Sequence, residues 1–149
     1  WENYGVGAGM GLFSLFGGSA DEDFSAVRKP FDPEWQASAR GYYRMLTVGS
    51  DGPDLQNVGG VYVIWHRGEQ PAWVYVGQST NLADSFEELL KNDEVMQFHK
   101  RGGLYVTWSQ ILDQYRDGVT RYLVETLQPV SGNDSYRKNA NSIPVMIPG

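Results

Sequence analysis

Gly59-Gly60-Val61-Tyr62-Val63-Ile64-Trp65-His66 is a dense run of β-branched and aromatic residues, ended by Arg67-Gly68-Glu69-Gln70-Pro71. Ala72-Trp73-Val74-Tyr75-Val76-Gly77 follows at hairpin spacing, so the two runs predict an antiparallel strand pair. Immediately beyond, Ser79 or Thr80 is placed to cap a helix in which Leu82, Phe86, Leu89 and Leu90 recur at helical intervals, while Asp84, Glu87, Glu88 and Lys91 face outward. Gly102 and Gly103 precede a third run, Leu104-Tyr105-Val106-Thr107-Trp108-Ser109, and Tyr122, Leu123, Thr126 and Leu127 place a second helix that stops at Pro129. The order predicts an α+β fold. Its small, three-stranded, mostly antiparallel sheet covers residues 60–65, 74–77 and 104–108, with flanking helices starting near Thr80 and Asp113.

Outward from this core the texture changes. Residues 1–58 are rich in glycine and turn formers and read as an N-terminal arm; residues 59–133 form the domain, and residues 134–149 a C-terminal tail. Within the arm, Asp32 as a cap and Pro33 at the first helical position, with Trp35, Ala39, Tyr42 or Tyr43, and Leu46 at helical spacing, predict a short helix near 33–47. Residues 3–20 carry no charge, but at 18 residues they sit near the lower limit for crossing a bilayer. Glycine, at about 1 kcal/mol per helical site, makes that stretch a poor helix, so it reads as an arm and not a span.

Charge and composition narrow the functions. With 12 Lys+Arg against 18 Asp+Glu, the net charge of −6 repels a phosphate backbone unless a local basic surface overcomes it. No cysteine is present, which excludes disulfides, thiolate metal sites and cysteine nucleophiles. His66 and His99 lack the spacing of a chelating pair on one helix, and no metal or cofactor site is expected.

Gly60-Val61-Tyr62, then Tyr75-Val76-Gly77, then Ser79-Thr80-Asn81-Leu82 is similar to the signature of the GIY-YIG endonuclease family. The resemblance extends through Arg121-Tyr122-Leu123-Val124-Glu125-Thr126-Leu127-Gln128-Pro129 to Asn133 and covers about half the chain. It implies that Tyr62 and Tyr75 occupy the positions beside the scissile phosphate, one of them in proton transfer from the attacking water. The family's arginine position corresponds to Ser85 and its metal-binding glutamate to Thr120. Serine carries no charge, and a threonine hydroxyl is a far weaker Mg²⁺ ligand than a carboxylate. Loss of both groups is expected to cost on the order of thousands-fold or more in rate. The alternative reading of the same tyrosines is simple cross-strand packing with Tyr105, Trp65, Trp73 and Trp108.

The expectation is therefore a non-catalytic binding or assembly subunit on a degenerate nuclease fold, with protein partners. The alternatives are a weak or residual nucleic-acid-binding module or endonuclease, supported by Tyr62, Tyr75 and Asn133, and a membrane-peripheral subunit held through the arm. Met10, Leu12, Phe13, Leu15 and Phe16 are the partner-binding candidates: six glycines between Gly5 and Gly18 raise the ordering cost, yet these apolar side chains gain by docking. Hydrogen exchange over amides 6–17 is expected to show protection in the native assembly and little in the isolated protein. Strong protection in the isolated monomer would place the arm in the domain's own core.

Overall fold

The computed structural model describes residues 30–132 and 135–149; Met10, Leu12, Phe13, Leu15, Phe16 and Asn133 lie outside them. In chain order the elements are β1 (Tyr43–Arg44), α1 (Val48–Asp51), β2 (Gly60–His66), β3 (Ala72–Ser79), α2 (Leu82–Leu89), α3 (Asp93–Met96), a 3₁₀ turn (Gln97–Arg101), β4 (Leu104–Ser109) and α4 (Asp113–Leu127). The fold is α+β, with an antiparallel sheet in the order β1-β4-β2-β3. The sheet has four strands and not three: β1, only two residues long, joins the edge of β4 by pairing Tyr43 with Val106 and Arg44 with Tyr105. Two residues are too few to show an alternating pattern.

β2 is the central strand, and every one of its residues is buried. Alternation sends its side chains to opposite faces. Tyr62 and Ile64 join Val74, Leu82, Phe86, Leu89, Val95, Val106 and Trp108 under α2. Val61, Val63 and Trp65 join Val76, Val119, Leu123, Val124 and Leu127 under α4. Leu82, Phe86 and Leu89 form the buried α2 stripe as anticipated, whereas Leu90, expected with them, is exposed at the helix end. Its cap, however, is Asn81, whose side chain accepts the Asp84 N–H, while Ser79 accepts the Asn81 N–H at 2.9 Å.

The helix expected near 33–47 does not form. Asp32 Oδ1 accepts the Glu34 N–H at 2.8 Å, a turn made by the same side-chain chemistry as a helix cap, and Glu34 then turns left-handed at φ 63. Extended backbone follows: Gln36 N–H bonds the Trp108 carbonyl, Thr107 Oγ1 donates to the Gln36 carbonyl, and Ser109 Oγ donates to the Pro33 carbonyl. The aromatic spacing reflects docking on the sheet, with Tyr42 edge-on to Trp65 at 4.9 Å.

Residues 135–149 pack into the domain. Ile143 and Val145 are buried in the α4-side core, and Val145 bridges Phe31 in parallel. The crossing over α4 occurs at Gly118, whose carbonyl accepts the Ile143 N–H at 3.0 Å; an added Cβ there would meet the Asn141 carbonyl, and Ile143 Cδ1 at 2.7 Å. Among the described residues no helix is long and apolar enough to cross a membrane.

Gly118→Ala separates intrinsic propensity from packing. Alanine is better in a helix by about 1 kcal/mol, yet overpacking of this kind costs typically 1–3 kcal/mol. Urea unfolding is expected to show net destabilisation; a stabilised variant would mean that residues 141–143 do not cross the helix there.

Candidate functional site

Tyr62 pairs across the sheet with Gly77, and Tyr75 stands two pairs along, opposite Ile64. The missing side chain at Gly77 lets the two phenols close over it: their rings stack 5.9 Å apart with planes 5° from parallel. A Cβ at Gly77 would lie 2.5 Å from Tyr62 Oη and 2.9 Å from Tyr75 Cε1. Phe86 of α2 meets Tyr62 edge-on at 5.4 Å and itself leans on Trp108. On the outer side, Gly132 sits against the Tyr75 ring in a left-handed conformation, φ 78, where a Cβ would be 2.7 Å from Cε2.

A cavity of about 470 Å³ opens over this pair, lined by Tyr62, Tyr75, Asp84, Ser85, Glu88, Leu89, Lys91 and Asn92. Tyr62 is only 4% exposed. Burial, reinforced by the adjacent Tyr75 and its hydrogen bond, pushes the Tyr62 phenol far above its ordinary range. Ser85 does reach the cavity, but its hydroxyl donates to Ser79 Oγ at 2.6 Å, so it is tied into the strand-to-helix junction. The charged groups on the lining are the carboxylates of Asp84 and Glu88 against the one ammonium of Lys91. Asp84 and Glu88, four residues apart, share a helix face, so their convergence was available from spacing. Lys91 and Asn92 lie beyond the end of α2 and carried no such signal.

Thr120 is not brought to this cavity. It is fully buried on α4, the helix that covers the opposite sheet face, and its hydroxyl has no hydrogen-bond partner. Neighbouring Arg121 pairs with Glu125 at 3.1 Å and donates to the carbonyls of Lys138 and Ala140, which fastens the C-terminal segment. Tyr62, Tyr75 and Ser85 thus come together; Thr120 stays apart.

A second cavity, about 670 Å³, lies between α4 and the C-terminal segment. Its centre is Asp117, which accepts hydrogen bonds from Gln78 Nε2 at 2.6 Å and from Arg137 Nε at 2.8 Å. Burial alone would raise this carboxyl, but those bonds and the Arg137 charge outweigh it and hold the group below the ordinary Asp value. The sequence offered no sign of this network, since Arg137 lies in the segment taken for a tail. Among the described residues no three His, Asp or Glu side chains converge as metal ligands.

The chain matches no family model, no curated protein and no solved structure.

A phenol with a raised native pKa favours the folded state only while the unfolded phenol also stays protonated, so its stabilising effect fades as pH rises past about 10. Near-UV titration is expected to give the same phenolate curve for the parent and Tyr62→Phe up to the onset of alkaline unfolding. Loss of one titrating phenol below that point would show that Tyr62 ionises in the native state.

Proposed function

We propose that the domain is a degenerate GIY-YIG-type scaffold that serves as a non-catalytic binding or assembly subunit for a protein partner. The observation that carries this reading is the electrostatics of the tyrosine cavity. A phosphoryl-transfer site concentrates positive charge where the transferring group sits. Here a serine engaged with Ser79 stands at the arginine-like position, and Asp84 and Glu88 outnumber Lys91 around it.

Proton transfer by Tyr62 fares no better. A base must reach its deprotonated form at working pH, and Tyr62 is buried, stacked and pushed away from ionisation. Nor is Thr120 placed to help hold a metal beside the pair, since it lies under the opposite face. What remains is a rigid sheet with aromatic rings and arginines reaching its surface, the kind of side chain that dominates protein interfaces.

Purified protein incubated with nicked and branched DNA in Mg²⁺ or Mn²⁺ is expected to leave it uncut. Ser85→Arg and Thr120→Glu, separately or together, are expected not to restore cleavage, because the second position faces the α4 core. Metal-dependent cutting by the parent protein that disappears in Tyr62→Phe would overturn the proposal.

A further inference from the structure

At the end of the sheet away from the tyrosine cavity, one cross-strand row runs over all four strands. Trp73 of β3 pairs with Trp65 of β2, Trp65 with Tyr105 of β4, and Tyr105 with Arg44 of β1. Ring centroids along it are 5.8 and 6.0 Å apart. Two guanidiniums share the Tyr105 ring: Arg44 Cζ lies 5.1 Å from its centroid and Arg67 Cζ 4.9 Å. A third, Arg101, lies 5.0 Å over Phe98, which also stacks on the ring of His66 at 5.8 Å and packs against the α2-side core. All three arginines are exposed.

Glycines make this end compact. Gly68 of the β2–β3 hairpin sits against the Arg101 carbonyl and Gly102, and Gly103 leaves the space that Arg44 Nη1 fills. Gly102 and Gly103 hold φ of 116° and 83°, a backbone that side chains rarely adopt. A cavity of about 450 Å³ opens beside them, lined by His66, Gly68, Glu69, Gln70, Arg101 and Gly102. Burial and the nearby Arg101 charge together hold His66 below its ordinary pKa, so the ring adds no positive charge at neutral pH.

Of the other described arginines, Arg116 pairs with Asp113, Arg121 with Glu125 and Arg137 with Asp117, while Arg40 is exposed with neither an ion pair nor a ring contact among the described residues. Arg44, Arg67 and Arg101 have ring contacts and no ion pair among the described residues, in a chain whose carboxylates outnumber its cations by 18 to 12. A guanidinium held over an aromatic ring keeps N–H donors available to a carboxylate, and the ring contact lowers the entropy lost when it binds.

We infer that the Arg44–Arg67 pair on Tyr105, at the end of the sheet where Arg101 also lies, docks a short acidic segment of a protein partner. The inference rests on the binding-subunit reading and names the surface and the chemistry of its partner. Scale decides between an acidic peptide and a nucleic acid. Arg44 and Arg67 share one ring and so are confined to a small area, and Glu69 lines the same cavity as Arg101. Asp93 and Glu94 of α3 lie just ahead of the turn that carries Arg101. A few carboxylates fit within that positive area. A phosphate backbone, which needs many neutralised contacts, would run off it onto acidic surface.

The test uses the full chain, a fluorescein-labelled octapeptide of alternating Glu and Asp, and a labelled single-stranded oligonucleotide of eight nucleotides, at low ionic strength. Anisotropy is expected to show peptide binding tighter than oligonucleotide binding. Arg44→Gln with Arg67→Gln is expected to weaken the peptide by roughly tenfold or more, and the Lys pair to recover only part of that, because lysine keeps charge but not the planar fork. On the unaltered protein, amide shifts induced by the peptide are expected to centre on Gly68, Gly102 and Gly103, a result that does not depend on how the variants fold. Equal or tighter oligonucleotide binding, no peptide binding, shifts centred elsewhere, or full affinity in the Lys pair would each overturn the inference. DNA cleavage in the same samples would defeat the scaffold reading instead, whereas failed docking without cleavage would defeat the surface alone.

Discussion

The central strand β2 is hydrogen-bonded along both edges, to β3 on one side and β4 on the other, and is covered on both faces. A strand so placed satisfies its backbone groups only through its neighbours, since no water reaches it. Both faces must then be sealed by apolar elements, and the alternation of Val61, Tyr62, Val63, Ile64 and Trp65 fixes which element each side chain meets. A slip of one residue would exchange the faces and put Tyr62 under α4 and Val63 under α2. The one irregularity, between Ile64 and Trp65, lets Trp65 meet Trp73 while Ile64 meets Tyr75. That local shift keeps the tyrosine pair on one face and the tryptophan row on the other.

Edges follow from the same constraint. An exposed sheet edge invites pairing with other chains. The outer edge of β3 receives Val130 and Ser131, whose N–H groups bond the carbonyls of Trp73 and Val74, and Ser135 Oγ donates to Val76. The outer edge of β4 is shared by β1 and by Gln36. These coverings use the segments before β2 and after α4, so those segments belong to the sheet as much as its long strands do. Ser131 also donates to Glu94 at 2.6 Å, joining the covered edge to α3.

This dependence explains which features could be read from the chain. Residues 60–66, 72–79, 82–89 and 113–127 declare themselves because strand alternation and helical stripes persist over several residues. The segment around Asp32 and Pro33 misleads because an aspartate that caps a helix and one that closes a turn offer the same acceptor; Trp108, far away in sequence, decides between them by taking the Gln36 N–H. Ile143 and Val145 alternate toward the core, but two apolar residues among prolines and asparagines do not register as a strand. For the site, the phenol pair was legible from Tyr62, Tyr75 and Gly77. The isolation of Thr120 was not, because helix spacing gives the direction of a side chain around its own axis and not which sheet face the helix will cover.

Charge is distributed along the same axes. From Tyr62 to Arg67 the strand advances by roughly 17 Å at an antiparallel rise of about 3.4 Å per residue, enough to pass from one local field to another beyond a Debye length of about 8 Å at physiological salt. The α2 end carries Asp84, Glu87 and Glu88 outward, while the hairpin end carries Arg67, with Arg44 and Arg101 beside it. A net-acidic molecule with a cationic end has an oriented field, and such a field sets which face meets an approaching anionic surface before any contact forms. An acidic partner arriving at the hairpin end would leave the tyrosine cavity and the α2 face open to solvent. The cationic hairpin end and the acidic surface around the tyrosine cavity therefore do not overlap, and the buried strand between them keeps the two at fixed separation.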